Sequence, residues 1–169
     1  QYSGKKITYF DPELNESYVP FVVETSIGVD RMFLQIMAAS YAEEEMVSED
    51  GIKYIRVVLR IPAPLAPVKL AVLPLMKKDG LGEYGEKIFN DLKFDFNVIY
   101  EDKDSIGKRY RRQDAIGTPF CITIDHDSLV DNTVTLRDRD TMKQERVPVA
   151  DLRRIIDEKT NFRNLLSKI

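Results

Sequence analysis

The sequence has one cysteine, Cys121, and one histidine, His126. A single thiol cannot close an internal disulfide. With a single imidazole beside it, it cannot supply the paired ligands of the usual zinc spacings either. Soft-ligand metal chemistry is therefore excluded as a basis for function, and no metal site is expected. Long apolar runs are missing too: no stretch approaches the roughly eighteen residues of a membrane helix. No basic-then-apolar leader opens the chain, so the expected setting is cytoplasmic, without a membrane partner. The chain opens at Gln1 in polar sequence that runs directly into strand-like residues, which suggests a piece excised from something longer.

What is present is unevenly placed. Residues 1–60 carry six Lys or Arg against ten Asp or Glu, and residues 61–169 carry nineteen against eighteen. The acidic excess thus belongs to the first third, and the net charge of -3 says little about what the remainder touches. Three of the eight prolines fall within IPAPLAPVK, residues 61–69. Each fixes its own φ and pushes its predecessor out of the helical region, so this stretch reads as a stiff boundary between residues 1–60 and 61–169.

Before the boundary, ITYFDPELNESYVPFVVETS reads as a β-hairpin turning at Asp11 to Asn15. A helix follows over about Val29 to Glu45, with Met32, Phe33, Ile36 and Met37 at helical spacing. So short a piece with so little apolar surface does not make a separate core. After the boundary, strand-like VKLAVLPL, FNVIYED, PFCITID, TVTLRD and QERVPV alternate with helix-like LGEYGEKIFNDLKF, a basic helix over Ile106 to Ala115 stopped near Gly117, and a closing VADLRRIIDEKTNFRNLL. This pattern predicts an α/β domain: about five strands in a mixed sheet, with three helices on its faces.

Four stretches carry candidate chemistry. GLGEYG places Gly80, Gly82 and Gly85 in a literal GxGxxG, with Glu101 and Asp102 about twenty residues on, as a dinucleotide fold requires. The match is weak, because Met76, Lys77, Lys78 and Asp79 separate the strand from the glycines and Glu83 would face the pyrophosphate. A loop with a helix start explains it as well. DSIGKRYRRQDAIG collects Lys108, Arg109, Arg111 and Arg112 around Tyr110. Four cations in five positions repel one another unless an anion sits opposite. They suit a nucleic-acid backbone with Tyr110 stacking on a base, or a solvated helix neutralised by Asp102, Asp104 and Asp114. In TVTLRDRD a strand puts Arg137 and Arg139 on one face, either as forks for a base edge or phosphate or as the charged edge that discourages aggregation. Finally, VVETSIGVDR sets Glu24, Ser26, Gly28 and Arg31 at a strand-to-helix junction, where a ligand could approach the backbone or where a helix is simply capped.

Taken together these residues resemble a known family. ETSIGVDR is similar to the third signature motif of class II aminoacyl-tRNA synthetases in its glycyl version, with serine in place of the motif's first glycine. SIGKRYRRQDAIGTPFCITID and TVTLRDRDTMKQERVP resemble the anticodon-binding domain of dimeric-type glycyl-tRNA synthetases, a form shared with the threonyl, prolyl and histidyl enzymes. The resemblance covers nearly the whole chain and identifies it as a C-terminal fragment of that family. It implies that residues 1–60 end the catalytic domain and that 61–169 form the anticodon-binding domain. Arg31 would be the motif arginine holding ATP, with Gly28 beside it, and Glu24 and Ser26 would take the amino group of glycine. Lys108, Arg109, Arg111, Arg112, Asp114, Arg137 and Arg139 would face the anticodon of glycine tRNA. In the family the full-length homodimer uses ATP, with Mg2+, to make glycyl-adenylate. The first two class II motifs have no counterpart here, so this chain alone is expected to bind tRNA without charging it and to carry no cofactor of its own. Two other readings stay open: a non-catalytic accessory subunit of a mitochondrial DNA polymerase with the same domain form, and a dinucleotide-binding domain.

Overall fold

The computed structural model describes residues 4–5, 7–47 and 50–167. The chain divides into two units, residues 1–33 and 34–169. The division falls upstream of the proline-rich stretch where the sequence suggested a boundary at 60/61.

In the first unit, β1 (Tyr9–Asp11) pairs antiparallel with β2 (Glu16–Tyr18). The turn is held by the Asp11 carboxylate, which accepts from the amides of Glu13 and Leu14. The hairpin is shorter than the apolar run suggests, because residues 19–28 form no regular element. The apolar side chains of residues 19–28 are open to solvent, Phe21 and Val23 almost completely. The unit ends in the first turns of α1 (Val29–Ser40).

The second unit begins with a departure from the sequence reading. Helix α1 stops at Ser40, and residues expected to prolong it form β3 (Tyr41–Val47), antiparallel to β4 (Lys53–Leu59). The three glutamates do not end a helix. In YAEEEMV the burial alternates, Glu44 turning inward opposite Arg56, and a charge pair across the ladder replaces the solvation that glutamates on a helix end would have had.

A five-stranded sheet follows, in the order β6-β5-β7-β8-β9. Strand β5 (Leu70–Pro74) lies between parallel β6 (Val98–Tyr100) and parallel β7 (Phe120–Ile124), while β8 (Thr133–Asp138) and β9 (Gln144–Pro148) close the sheet as an antiparallel hairpin. Strands buried on both faces read as unbroken apolar runs, and β5 and β7 are buried throughout. Alternation sorts their side chains. Leu70, Val72, Phe120 and Ile122 join the main core with Leu81, Ile88 and Leu92 of α2 (Leu81–Leu92) and with Leu152 and Ile156 of the closing helices. Ala71, Leu73 and Cys121 face the other way, where α3 (Ile106–Ile116) packs on them through Ile106 and Tyr110.

The short α4 (His126–Asp131), absent from the sequence reading, is started by a capping box between Asp125 and Ser128. The closing helix is two pieces, α5 (Leu152–Thr160) and α6 (Phe162–Leu166), broken at Asn161, whose extended backbone ends the first. Among the described residues no helix is long and apolar enough to cross a membrane.

Candidate nucleic-acid interface

Helix α3 is pressed between the sheet and the β3–β4 hairpin, and its inward face is polar. Arg109, Gln113 and Asp114 recur at helical spacing and are all buried. The basic cluster is therefore split: Arg109 points in, while Lys108 and Arg111, one turn apart, are exposed and Arg112 is partly so.

Arg109 closes the carboxyl ends of the parallel strands. Its guanidinium donates to the carbonyls of Pro74 at 2.7 Å, Glu101 at 2.9 Å and Leu75 at 3.2 Å. These are acceptors that the ladder leaves without partners where strands β5 and β6 end. Burial pushes the Arg109 guanidinium below its ordinary value. Its Nε is the one buried side-chain nitrogen or oxygen without a hydrogen bond among the described residues.

Asp114 is the centre of a buried network. It accepts from Arg56 Nε at 2.9 Å and from both terminal nitrogens of Arg137 at 2.8 and 3.0 Å. Arg56 is spent in three directions: besides Asp114 it donates to Glu44 at 2.7 Å and to the carbonyl of Arg139 at 2.6 Å. Arg60 also reaches Glu44, and the Arg60 and Arg56 guanidiniums together hold that carboxyl below its usual range. Arg137 lies over the Tyr110 ring, 4.7 Å from its centre, so Tyr110 is packed against the network and its hydroxyl meets Thr123. Arg139 lies just past β8 and ties two chain segments together, donating to the carbonyls of Gly117 and Ile61, both at 2.8 Å. Gly117 is the left-handed residue that ends α3, with φ of 86°.

The terminal guanidinium nitrogens of Arg109, Arg137 and Arg139, and the acceptor Asp114, are thus committed inside the domain. Arg112 is committed at its edge, donating to Glu101, Asp104 and the carbonyl of Lys103. The two carboxylate bonds raise it above its ordinary value, the Asp104 bond foremost. Arg111 differs: its guanidinium lies 4.6 Å from the centre of the Tyr54 ring. It has no hydrogen bond or ion pair among the described residues. A cleft of about 160 Å³ opens here between β4 and α3, lined by Tyr54, Arg56, Tyr110, Arg111, Asp114 and Arg137. Tyr54 and Arg56 escaped the sequence reading. The signal for them was the alternation in KYIRVVL, where Tyr54, Arg56 and Val58 share the inward face.

The glycines of GLGEYG have packing reasons. A Cβ on Gly82 would stand 3.0 Å from the Lys77 carbonyl, and one on Gly85 would stand 3.1 Å from Ile124 and 3.2 Å from Tyr100. The acids that a nucleotide ribose would need are taken: Glu101 by Arg112 and Gln113, and Asp102 by Lys77 at 3.0 Å.

In the first unit, Glu24, Ser26, Gly28 and Arg31 are exposed. The Arg31 stem folds over Gly28, where a Cβ would stand 3.8 Å from its Cδ. Glu24, Ser26 and Arg31 make no hydrogen bond or ion pair among the described residues. A free guanidinium suits a phosphate and a free carboxylate an ammonium ion, so the side chains fit ATP and an amino acid in kind. Among the described residues no cluster of three or more His, Cys, Asp or Glu could hold a metal ion.

Comparison with known proteins agrees with this architecture. The chain is 49% identical over 162 residues to a glycine–tRNA ligase of Clostridium perfringens, covering 96% of this chain and 34% of that protein. It is 48% identical over 165 residues to one of Treponema denticola, covering 97% and 36%. It spans about a third of the length of these relatives. Among solved structures it resembles the RNA-binding domain of threonyl-tRNA synthetase from Cryptosporidium parvum Iowa II, with a TM-score of 0.54 and 24% identity over 59% of this chain and 25% of that one. It also resembles prolyl-tRNA synthetase from Cryptosporidium parvum, with a TM-score of 0.55 and 18% identity over 73% and 32%. The likeness to both is one of fold. The model of the anticodon binding domain matches residues 69–159, the segment that holds the five-stranded sheet and α3, and the chain belongs to that family.

Proposed function

We propose that the chain binds the anticodon region of glycine tRNA, and that within a longer enzyme it takes part in ATP-dependent charging of that tRNA with glycine through glycyl-adenylate. The observation that carries this reading is the 49% identity to a glycine–tRNA ligase over 96% of the chain. That span includes both the segment from Glu24 to Arg31 and the anticodon-binding domain. On this reading residues 1–60 close the catalytic domain. Arg31, beside Gly28, holds ATP, which is accompanied by Mg2+ in the complete enzyme; Glu24 and Ser26 take the glycine ammonium; and the complete enzyme is a cytoplasmic homodimer.

Within the anticodon-binding domain the burial pattern suggests two roles. Lys108 and Arg111, exposed on one face of α3, meet RNA directly, with Arg112 at the edge of the contact. Arg109, Asp114, Arg137 and Arg139 hold that face in place, their polar atoms being spent on backbone carbonyls and on one another. Phosphate attraction alone does not distinguish one tRNA from another, whereas contacts to base edges do. The test is binding of the chain, at one stated salt concentration, to a glycine tRNA transcript and to the same transcript with its anticodon bases changed. Tighter binding to the glycine anticodon is expected. Equal affinity for both would reject anticodon reading.

A further inference from the structure

We propose that the β3–β4 hairpin, which lies outside the segment matched by the anticodon binding domain, adds Tyr54 to the RNA surface, where it holds Arg111 as a preset reader of one unpaired base. The inference rests on the reading above that the α3 face meets an anticodon loop.

Of the arginines in the basic segment, Arg109 is buried against strand-end carbonyls and Arg112 is clamped to the 101–104 loop. Arg111 keeps its five donors free of protein partners among the described residues, yet it is not loose. The ring of Tyr54, partly buried on β4, lies 4.6 Å from its guanidinium carbon. An unrestrained arginine must surrender rotamer freedom when it binds, and one already held against a ring surrenders less. The pair is repeated in kind within the same cleft, where the more buried Arg137 lies over Tyr110.

Size and chemistry choose the ligand. At about 160 Å³ the cleft is smaller than the roughly 300–1,000 Å³ of ordinary small-molecule pockets and holds about five waters' worth of space. It therefore admits one flat ring and leaves sugar and phosphate outside. The Asp114 carboxylate is filled by Arg56 and Arg137, so the charged group left to recognise that ring is the donor fork of Arg111, which matches a base edge with neighbouring acceptors.

The test uses the chain with the two transcripts above. Arg111→Lys keeps the charge and removes the fork. It should lower discrimination between the transcripts about fivefold or more while leaving the salt dependence of binding unchanged. Tyr54→Ala should lower discrimination about two- to fivefold, the size of an exposed cation–π contact, and Tyr54→Phe should retain it. In an Arg111→Ala background, Tyr54→Ala should change nothing further. Equal weakening of both transcripts by Arg111→Lys would make Arg111 a phosphate contact and overturn the proposal. So would an undiminished effect of Tyr54→Ala in the Arg111→Ala background. If the unaltered chain discriminates and neither variant moves the ratio, this inference fails alone; if the unaltered chain does not discriminate, the anticodon reading fails with it. Arg111 is exposed, so Arg111→Lys decides the matter even if Tyr54→Ala impairs folding.

Discussion

Replacing Asp114 by asparagine tests the central feature of the domain. The carboxylate accepts three bonds of 2.8 to 3.0 Å from two arginines whose side chains are 3% and 7% exposed. An asparagine keeps one acceptor oxygen but turns an amide toward the guanidinium groups, donor against donor, and removes the only charge that Arg137 pairs with among the described residues. Removing one partner of a buried pair typically costs about 3–5 kcal/mol, because the other charge stays buried. Arg56 retains Glu44, which argues for the lower end, about 3 kcal/mol. At roughly 2–4 °C per kcal/mol for a chain of this size, the midpoint of thermal unfolding should fall by about 6–12 °C. The comparison is Arg112→Gln, which breaks pairs at the surface, where such pairs contribute about 0–1 kcal/mol. Urea unfolding of both variants, followed by circular dichroism, gives the difference directly. If Asp114→Asn costs no more than Arg112→Gln, the network is solvated and the account of α3 as a helix with a polar core face is wrong. Arg56→Met should fall between them, since Asp114 then keeps its two-pronged bond to Arg137.

Three further outcomes are expected. Gly117→Ala should cost about 1–2 kcal/mol in urea unfolding from the left-handed backbone alone, with more added because the new Cβ would stand 3.1 Å from the Leu59 carbonyl; an unchanged midpoint would contradict the α3 cap. Asp125→Ala should lose about 1 kcal/mol of capping near neutral pH. The Arg146 and Ser128 donors hold the Asp125 carboxyl below its usual range, so its contribution is present above the unfolded value of about 3.9 and is lost as pH falls through the lower folded value. The gap between native and variant should therefore close in acid, and a gap that widens there would refute the pairing. Burial pushes the Cys121 thiol up to about 12, so a thiol reagent at neutral pH should label it only as fast as the chain unfolds, and at once in urea; rapid labelling of the folded chain would place Cys121 at the surface.

The difference between what was legible and what was not lies in particular elements. Strands β5 and β7 were legible because a strand buried on both faces must be apolar at nearly every position: LAVLP is so throughout, and FCITI everywhere but Thr123, whose hydroxyl meets Tyr110. Helix α2 announced itself through apolar residues at helical spacing. Strand β3 did not, since its inward side chains include Glu44, whose fitness for that place comes from Arg56, twelve residues away and across a turn. Helix α3 misled for the same reason. Its inward face of Arg109, Gln113 and Asp114 has the period of a core-facing helix but not the composition, and hydrophobic patterning registers the period only of apolar residues.

By itself, then, the sequence determined the class of the protein: an α/β sheet set by alternating apolar runs, with a basic helix ended near Gly117 and motifs spaced closely enough to be matched to a family. Which of its cations face outward was decided only by the tertiary structure. Helical spacing allots Arg109 and Arg111 to different sides but cannot say which side is the inside. That depends on carbonyls left over at the ends of β5 and β6, on a glutamate from β3, and on a tyrosine from β4. A charged group is buried where distant parts of the chain satisfy its hydrogen bonds, and those partners are neighbours only after folding.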